Sequence, residues 1–156
     1  MSDDCPIKIA VQTEAFDCVA ESNALRAGRT NIGAIVSFTG ICRDEEGSLN
    51  ALELEHYPGM AEAEIQRVAE QAAERWPLQG ITVIHRYGKL DPCSDIVLVL
   101  TASRHRRAAF QSAEFVMDFL KTRAPFWKKE YPKTGEPGGW VDAKEDDDEA
   151  LLRWQD

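Results

Sequence analysis

Arg104, Arg106, Arg107, Lys121, Arg123, Lys128 and Lys129, with His105 among them, fall in the single stretch 101–130, where only Glu114, Asp118 and Glu130 oppose them. The chain as a whole has 18 basic and 27 acidic residues and a formal net charge of −9. A basic island on an acidic protein fits a small anion held at one place. Arginine offers a planar fork of donors to phosphate or carboxylate, and lysine a mobile point charge that can also carry a proton. Histidine donates or accepts near neutral pH. On pattern alone the same cations also fit a solvated surface paired with the chain's many carboxylates. Arg43, just past the apolar run GAIVSFTG, is a further candidate, because ligand groups often lie beside a strand end. Its plainer reading is a solvated arginine. Cys42 beside it suggests a nucleophile, but no base is near in sequence, and an ordinary thiol is the better reading.

Other chemistries find little support. The four cysteines, Cys5, Cys18, Cys42 and Cys93, are scattered and form no C-x-x-C pair, against a zinc or thioredoxin-like site. No histidine–carboxylate cluster has metal-ligand spacing, there is no phosphate-loop or dinucleotide glycine motif, and no metal or cofactor is expected. No apolar run approaches the roughly 20 residues of a membrane span. The acidic start MSDDCPIK resembles neither a secretory signal nor a transit peptide, so a cytoplasmic protein is expected. The negative charge argues against general binding to nucleic acid or anionic membranes.

These side chains must be positioned by one domain, 1–141, with 142–156 an acidic C-terminal tail expected to be solvated or mobile, apart from a short terminal helix. Alternation predicts strands over 7–12 and 50–57, the latter half-buried. Apolar runs predict buried strands over 33–40, 81–87 and 96–101. His85 alternates with Val83 and points either inward or to the sheet's other face, and a lone strand histidine is more often structural than catalytic. Helical spacing predicts helices over 16–27 and 60–76. A third helix should open at Ser103 as its N-cap and carry the stripe Ala109, Phe110, Ala113, Val116, Met117 and Leu120 to Lys121. Residues 89–95 read as a turn, and Ala124–Pro125 ends the third helix. FWKKEY then reads as extended, with Phe126, Lys128 and Glu130 on one face and Trp127, Lys129 and Tyr131 on the other. His105, Arg106 and Arg107 thus crowd a helix N-terminus, against the dipole, an arrangement that makes sense if a bound anion neutralises both. Lys121 and Arg123 lie in the last turn, where cations are ordinary. Residues 133–139 form a loop, and Trp140 and Val141 a possible returning strand.

FTGICR, LELEHYPGM, RWPL, VIHRYG, SRHRRAAF and MDFLKTRAPFWKKE closely resemble the large, catalytic subunit of molybdopterin synthase, from about residue 7 to 141. LKTRAPFWK is the most specific of these, followed by HYPGM. The resemblance implies an α+β protein with an α/β hammerhead-type fold and an additional antiparallel β-region. It implies a central homodimer with a small ubiquitin-like subunit at each far end, forming a heterotetramer. That subunit ends in Gly-Gly carrying a thiocarboxylate, and the reaction moves two sulfurs to cyclic pyranopterin monophosphate (precursor Z), giving the molybdopterin dithiolene. By the same resemblance Arg43 is a pterin-phosphate residue, and His105 and Arg106 complete the pocket across the dimer interface. Lys121 lies near the partner's terminal glycine, Lys128 is the second active-site lysine, and Lys129 is its neighbour in the binding run. Ile41 departs from relatives that carry a basic residue there. Two rivals stand beside this reading: a non-enzymatic adaptor gripping a ubiquitin-like tail, and an RNA-binding domain stacking bases on Phe126 and Trp127.

Overall fold

The computed structural model describes residues 5–44, 47–123, 125–141 and 151–155. Its larger sheet is built from β1 (Ile7–Gln12), β2 (Ala34–Ile41), β4 (Leu78–Arg86) and β6 (Asp95–Ser103), in the order β1-β4-β6-β2. β1 runs parallel to β4, and the other neighbours are antiparallel. β3 (Leu49–His56), β5 (Gly88–Leu90) and β7 (Phe126–Pro132) form a separate antiparallel sheet in the order β5-β3-β7.

β6 is the central strand expected of an all-apolar run, and its two faces feed two cores. Val97 and Val99 pack under α2 (Met60–Arg75) and α3 (Arg106–Thr122) with Ile65, Val68, Phe115 and Val116. Leu98, Leu100 and Ala102 point the other way, to Leu25 of α1 (Cys18–Arg26) and to Ile84. Each fully buried aliphatic side chain here contributes about 1.5–3 kcal/mol. A third cluster of Cys42, Leu49, Leu52, Leu54 and Leu90 fixes the small sheet against the end of the large one. Gly59, at φ 84, makes the turn from β3 into α2, where the Glu62 carboxylate accepts its N–H at 3.0 Å.

Several expectations need correcting. Ser103 does not cap α3. It is the last residue of β6, paired with Ala34 and Leu78, and its hydroxyl donates to the Pro77 carbonyl at 2.9 Å. His105 takes the cap position in extended conformation and makes no side-chain capping bond. The predicted turn at 89–95 overlaps β5 at Lys89 and Leu90; the three residues of β5 carry no periodic signal and become a strand by pairing with β3. β4 begins at Leu78, before the predicted start, because its bulged early residues still pair with β6.

The acidic block 142–150 lies outside the described residues, but 151–155 are docked on the domain. Leu151 is buried, and the Trp154 indole packs at 5.7 Å from Trp76 and 5.4 Å from Phe115. Arg153 pairs with Glu114 at 2.6 Å and Asp118 at 3.0 Å. Trp140 and Val141 form no named strand, and Val141 makes an isolated bridge to Lys128. Among the described residues no helix is long and apolar enough to cross a membrane.

Candidate active site

Between the two sheets, closed on one side by the C-terminal end of α3, lies a cavity of ≈ 580 Å³. That is the size of a small-molecule site. The end of β2 delivers Arg43. Just before it, the Cys42 N–H donates to the Ser94 carbonyl at 2.8 Å, and the Cys42 carbonyl accepts the Cys93 N–H at 2.7 Å. The backbone is thus pinned where the arginine leaves it. α3 delivers Lys121 from its last turn, next to Met117 and Leu120 of its apolar stripe. β7 delivers Lys128, whose backbone is held from the side opposite β3 by two hydrogen bonds to Val141, at 3.2 and 2.9 Å. Three cationic side chains from three separate elements therefore line one space.

The rest of the lining is largely apolar, with Leu49, Leu52 and Leu54 from β3 and Phe126 and Trp127 from β7. An apolar wall strengthens the pull of each cation on an anion. Trp127 is braced edge-on by Tyr57, with ring centres 4.7 Å apart and planes at 87°. Cys42 lines the cavity but is almost fully buried. Burial above all, then the neighbouring Cys93 and the carboxylates of Asp44, Glu130 and Asp91, push its thiol above the usual range. A thiol held in its protonated form is a poor nucleophile.

The remaining site candidates lie elsewhere. The β7 pleat turns Lys129 away from the cavity, where its ammonium lies 5.5 Å from the Tyr131 ring centre and 5.6 Å from that of Trp140. Tyr131 in turn donates to Glu53 at 2.7 Å. His105 and Arg106 are exposed at the opposite end of α3 from Lys121, about 22 Å away at 1.5 Å rise per residue. Within one chain they cannot reach the cavity. α3 also carries no acidic residue in its first turn, so the cost of cations against the dipole stands uncompensated there.

One lining residue has a place that strand pattern alone did not reveal. His85 lines the cavity near the end of β4. Its alternation with Val83 was visible. What that face looks onto depends on β7, which is remote in sequence.

Comparison with known proteins shows what the chain as a whole is similar to. The model of the MoaE protein family matches residues 11–123. The chain is 62% identical over 147 residues to a molybdopterin synthase catalytic subunit of Mesorhizobium japonicum, covering 94% of this chain and 92% of that one. It is 59% identical over 152 residues to the protein of the same name from Brucella melitensis, covering 97% and 93%. A solved molybdopterin biosynthesis MoaE protein from Burkholderia ambifaria superposes with a TM-score of 0.82 at 49% identity, covering 95% of this chain and 97% of that one.

Proposed function

The chain belongs to the MoaE protein family, and from that premise we propose that it is the catalytic subunit of a molybdopterin synthase. It is a sulfurtransferase that takes sulfur from the thiocarboxylated Gly-Gly terminus of a small ubiquitin-like subunit. Two sulfurs go to cyclic pyranopterin monophosphate and become the molybdopterin dithiolene. The observation that carries this reading is the convergence of Arg43, Lys121 and Lys128 on one cavity.

Both reactants are anions that must touch, and unscreened repulsion opposes their encounter. Arg43 suits the cyclic phosphate through its forked donors. Lys121 serves the thiocarboxylate and its carbonyl, and Lys128 the reacting carbon and the phosphate. Either lysine can pass a proton as well as hold charge. A Gly-Gly tail, with no side chains, suits a narrow approach between the sheets. Sulfur arrives with the partner, so the buried thiol of Cys42 has no part in the transfer. Lys129 is left out of the binding set, because it faces the other side of β7.

The exposed pair His105 and Arg106 completes the pocket of a second copy, so the working form is a homodimer carrying two small subunits. The two-sheet architecture is read as an α/β hammerhead-type fold with an added antiparallel region, working in the cytoplasm.

Reconstitution with a thiocarboxylated small subunit and precursor tests the reading. Lys121→Ala and Lys128→Ala should each lower dithiolene formation by at least about 10²-fold while the fold is kept, and Cys42→Ala should remain active. A Cys42→Ala protein as dead as the lysine variants would refute the mechanism. An adaptor that only grips a ubiquitin-like tail would show no affinity for a phosphorylated pterin in the absence of its partner.

A further inference from the structure

His85 is held as a base would be held. Its Nδ1–H donates to the Arg86 carbonyl at 2.8 Å, because a carbonyl can only accept. The proton is thereby assigned to Nδ1, and Nε2 keeps a bare lone pair. The ring lies flat on Phe126, with centres 3.8 Å apart and planes at 15°, and Phe126 is stacked in turn on His56 at 5.8 Å. Hydrogen bond and stack together fix the plane of the imidazole along the cavity wall it lines with Lys121 and Lys128.

The remaining polar lining narrows the field. Arg43 and the two lysines are donors, Thr39 is an alcohol, and Cys42 is a thiol kept protonated by its burial. Glu130 also lines the cavity, on the same β7 face as Lys128, but it is solvent-exposed, whereas His85 is fixed by a hydrogen bond and a stack. Among the described lining residues, His85 alone is an imidazole, a nitrogen base that can be neutral at working pH. Burial, with smaller contributions from Lys121 and His56, outweighs the Arg86 hydrogen bond and brings it down to about 4 in the empty cavity. It is therefore uncharged when the reactants enter. Their negative charges then favour its protonated form and make it a readier acceptor.

The reaction needs such an acceptor once for every sulfur, a requirement that rests on the function proposed above. When the thiocarboxylate sulfur bonds to the substrate carbon, a C–O bond at that carbon breaks and its oxygen leaves with a proton, and the sulfur then bridges the pterin and the acyl carbon of the tail. Water must then form a C–O bond at the acyl carbon as the C–S bond breaks. The tail leaves as a carboxylate, the sulfur stays on the pterin as a thiolate, and two protons are released. We propose that His85 is the proton acceptor for this hydrolysis, taking a proton from the attacking water at Nε2. Lys121, on the same wall, stabilises the charge that develops on the acyl oxygen.

The test is single turnover of the complete complex, with thiocarboxylated small subunit and precursor, followed by intact mass. His85→Phe keeps the stack on Phe126 and removes the lone pair. His85→Gln keeps polarity without a comparable base. Both should consume precursor at near the wild-type rate and accumulate the covalent small subunit–pterin adduct, with its release slowed by about 10²–10⁴-fold. Added imidazole should partly restore release in the Gln variant. Release at the wild-type rate in either folded variant overturns the proposal, and so does loss of the first transfer without any adduct. A wild-type protein that forms no dithiolene would instead overturn the function itself, so the two failures are distinguishable.

Discussion

The side chains of the cavity differ in how readily they declare themselves. Arg43, Lys121 and Lys128, which line the cavity, were singled out by the family resemblance, since on pattern alone a strand-end arginine and a last-turn lysine are ordinary and only the lysines between aromatics stood out. His85 was not, because its value comes from Phe126 on one side and Lys121 nearby, both remote in sequence. Its low basicity has a consequence for stability. The ordinary value is 6.5 and the folded one about 4, so between these two pH values the unfolded chain binds a proton that the folded chain refuses. Stability is therefore unaffected by His85 above pH 6.5, falls as pH drops through this window, and levels off below it. The loss should be about 2 kcal/mol, after allowing for solvent reaching a half-buried ring. His85→Phe should flatten this part of the profile, as read by urea unfolding at pH 7 and pH 4.5. An equal acid loss in the variant would assign the slope to other groups.

At the scale of elements, periodicity recovered the type of the three helices and of the long strands among the described residues. It failed where one element's bounds depend on another. Ser103 has the composition of a cap, but β6 extends that far because β2 and β4 both pair with its last residue. The junction leaves no spare room. Gly33 donates its N–H to the Ser103 carbonyl at 2.9 Å, and a Cβ on Gly33 would lie 2.0 Å from the Arg104 carbonyl oxygen. That oxygen is backbone and cannot swing aside. Gly33→Ala should therefore cost about 2–4 kcal/mol in unfolding free energy, well beyond a typical surface change. A shift in the urea midpoint within error of zero would mean that the junction relaxes freely. The same displacement should disturb His105 and Arg106, which follow directly.

On the scale of the whole molecule, the pairing of strands into two sheets was out of reach of local pattern, since β3 finds its main partner β7 seventy or more residues later. The docked C-terminus was missed for a related reason: its acidic approach suggested a solvated tail, whereas Leu151, Arg153 and Trp154 clamp α2 to α3. Trp154→Ala should lower stability by about 2–3 kcal/mol, with dithiolene formation per folded molecule retained at low temperature. Loss of activity in the folded variant would show that the clamp also shapes the cavity. The length of α3 has its own consequence. Since Lys121 and Arg106 occupy opposite ends of one rigid helix, a site that uses both must borrow one of them from another copy. Two dead proteins, Lys121→Ala and Arg106→Ala, should then revive each other when refolded together. Each mixed dimer would hold one pocket with both defects and one with neither, so random pairing should restore about a quarter of wild-type turnover. In a cell carrying both alleles, the two lesions would complement within a single gene.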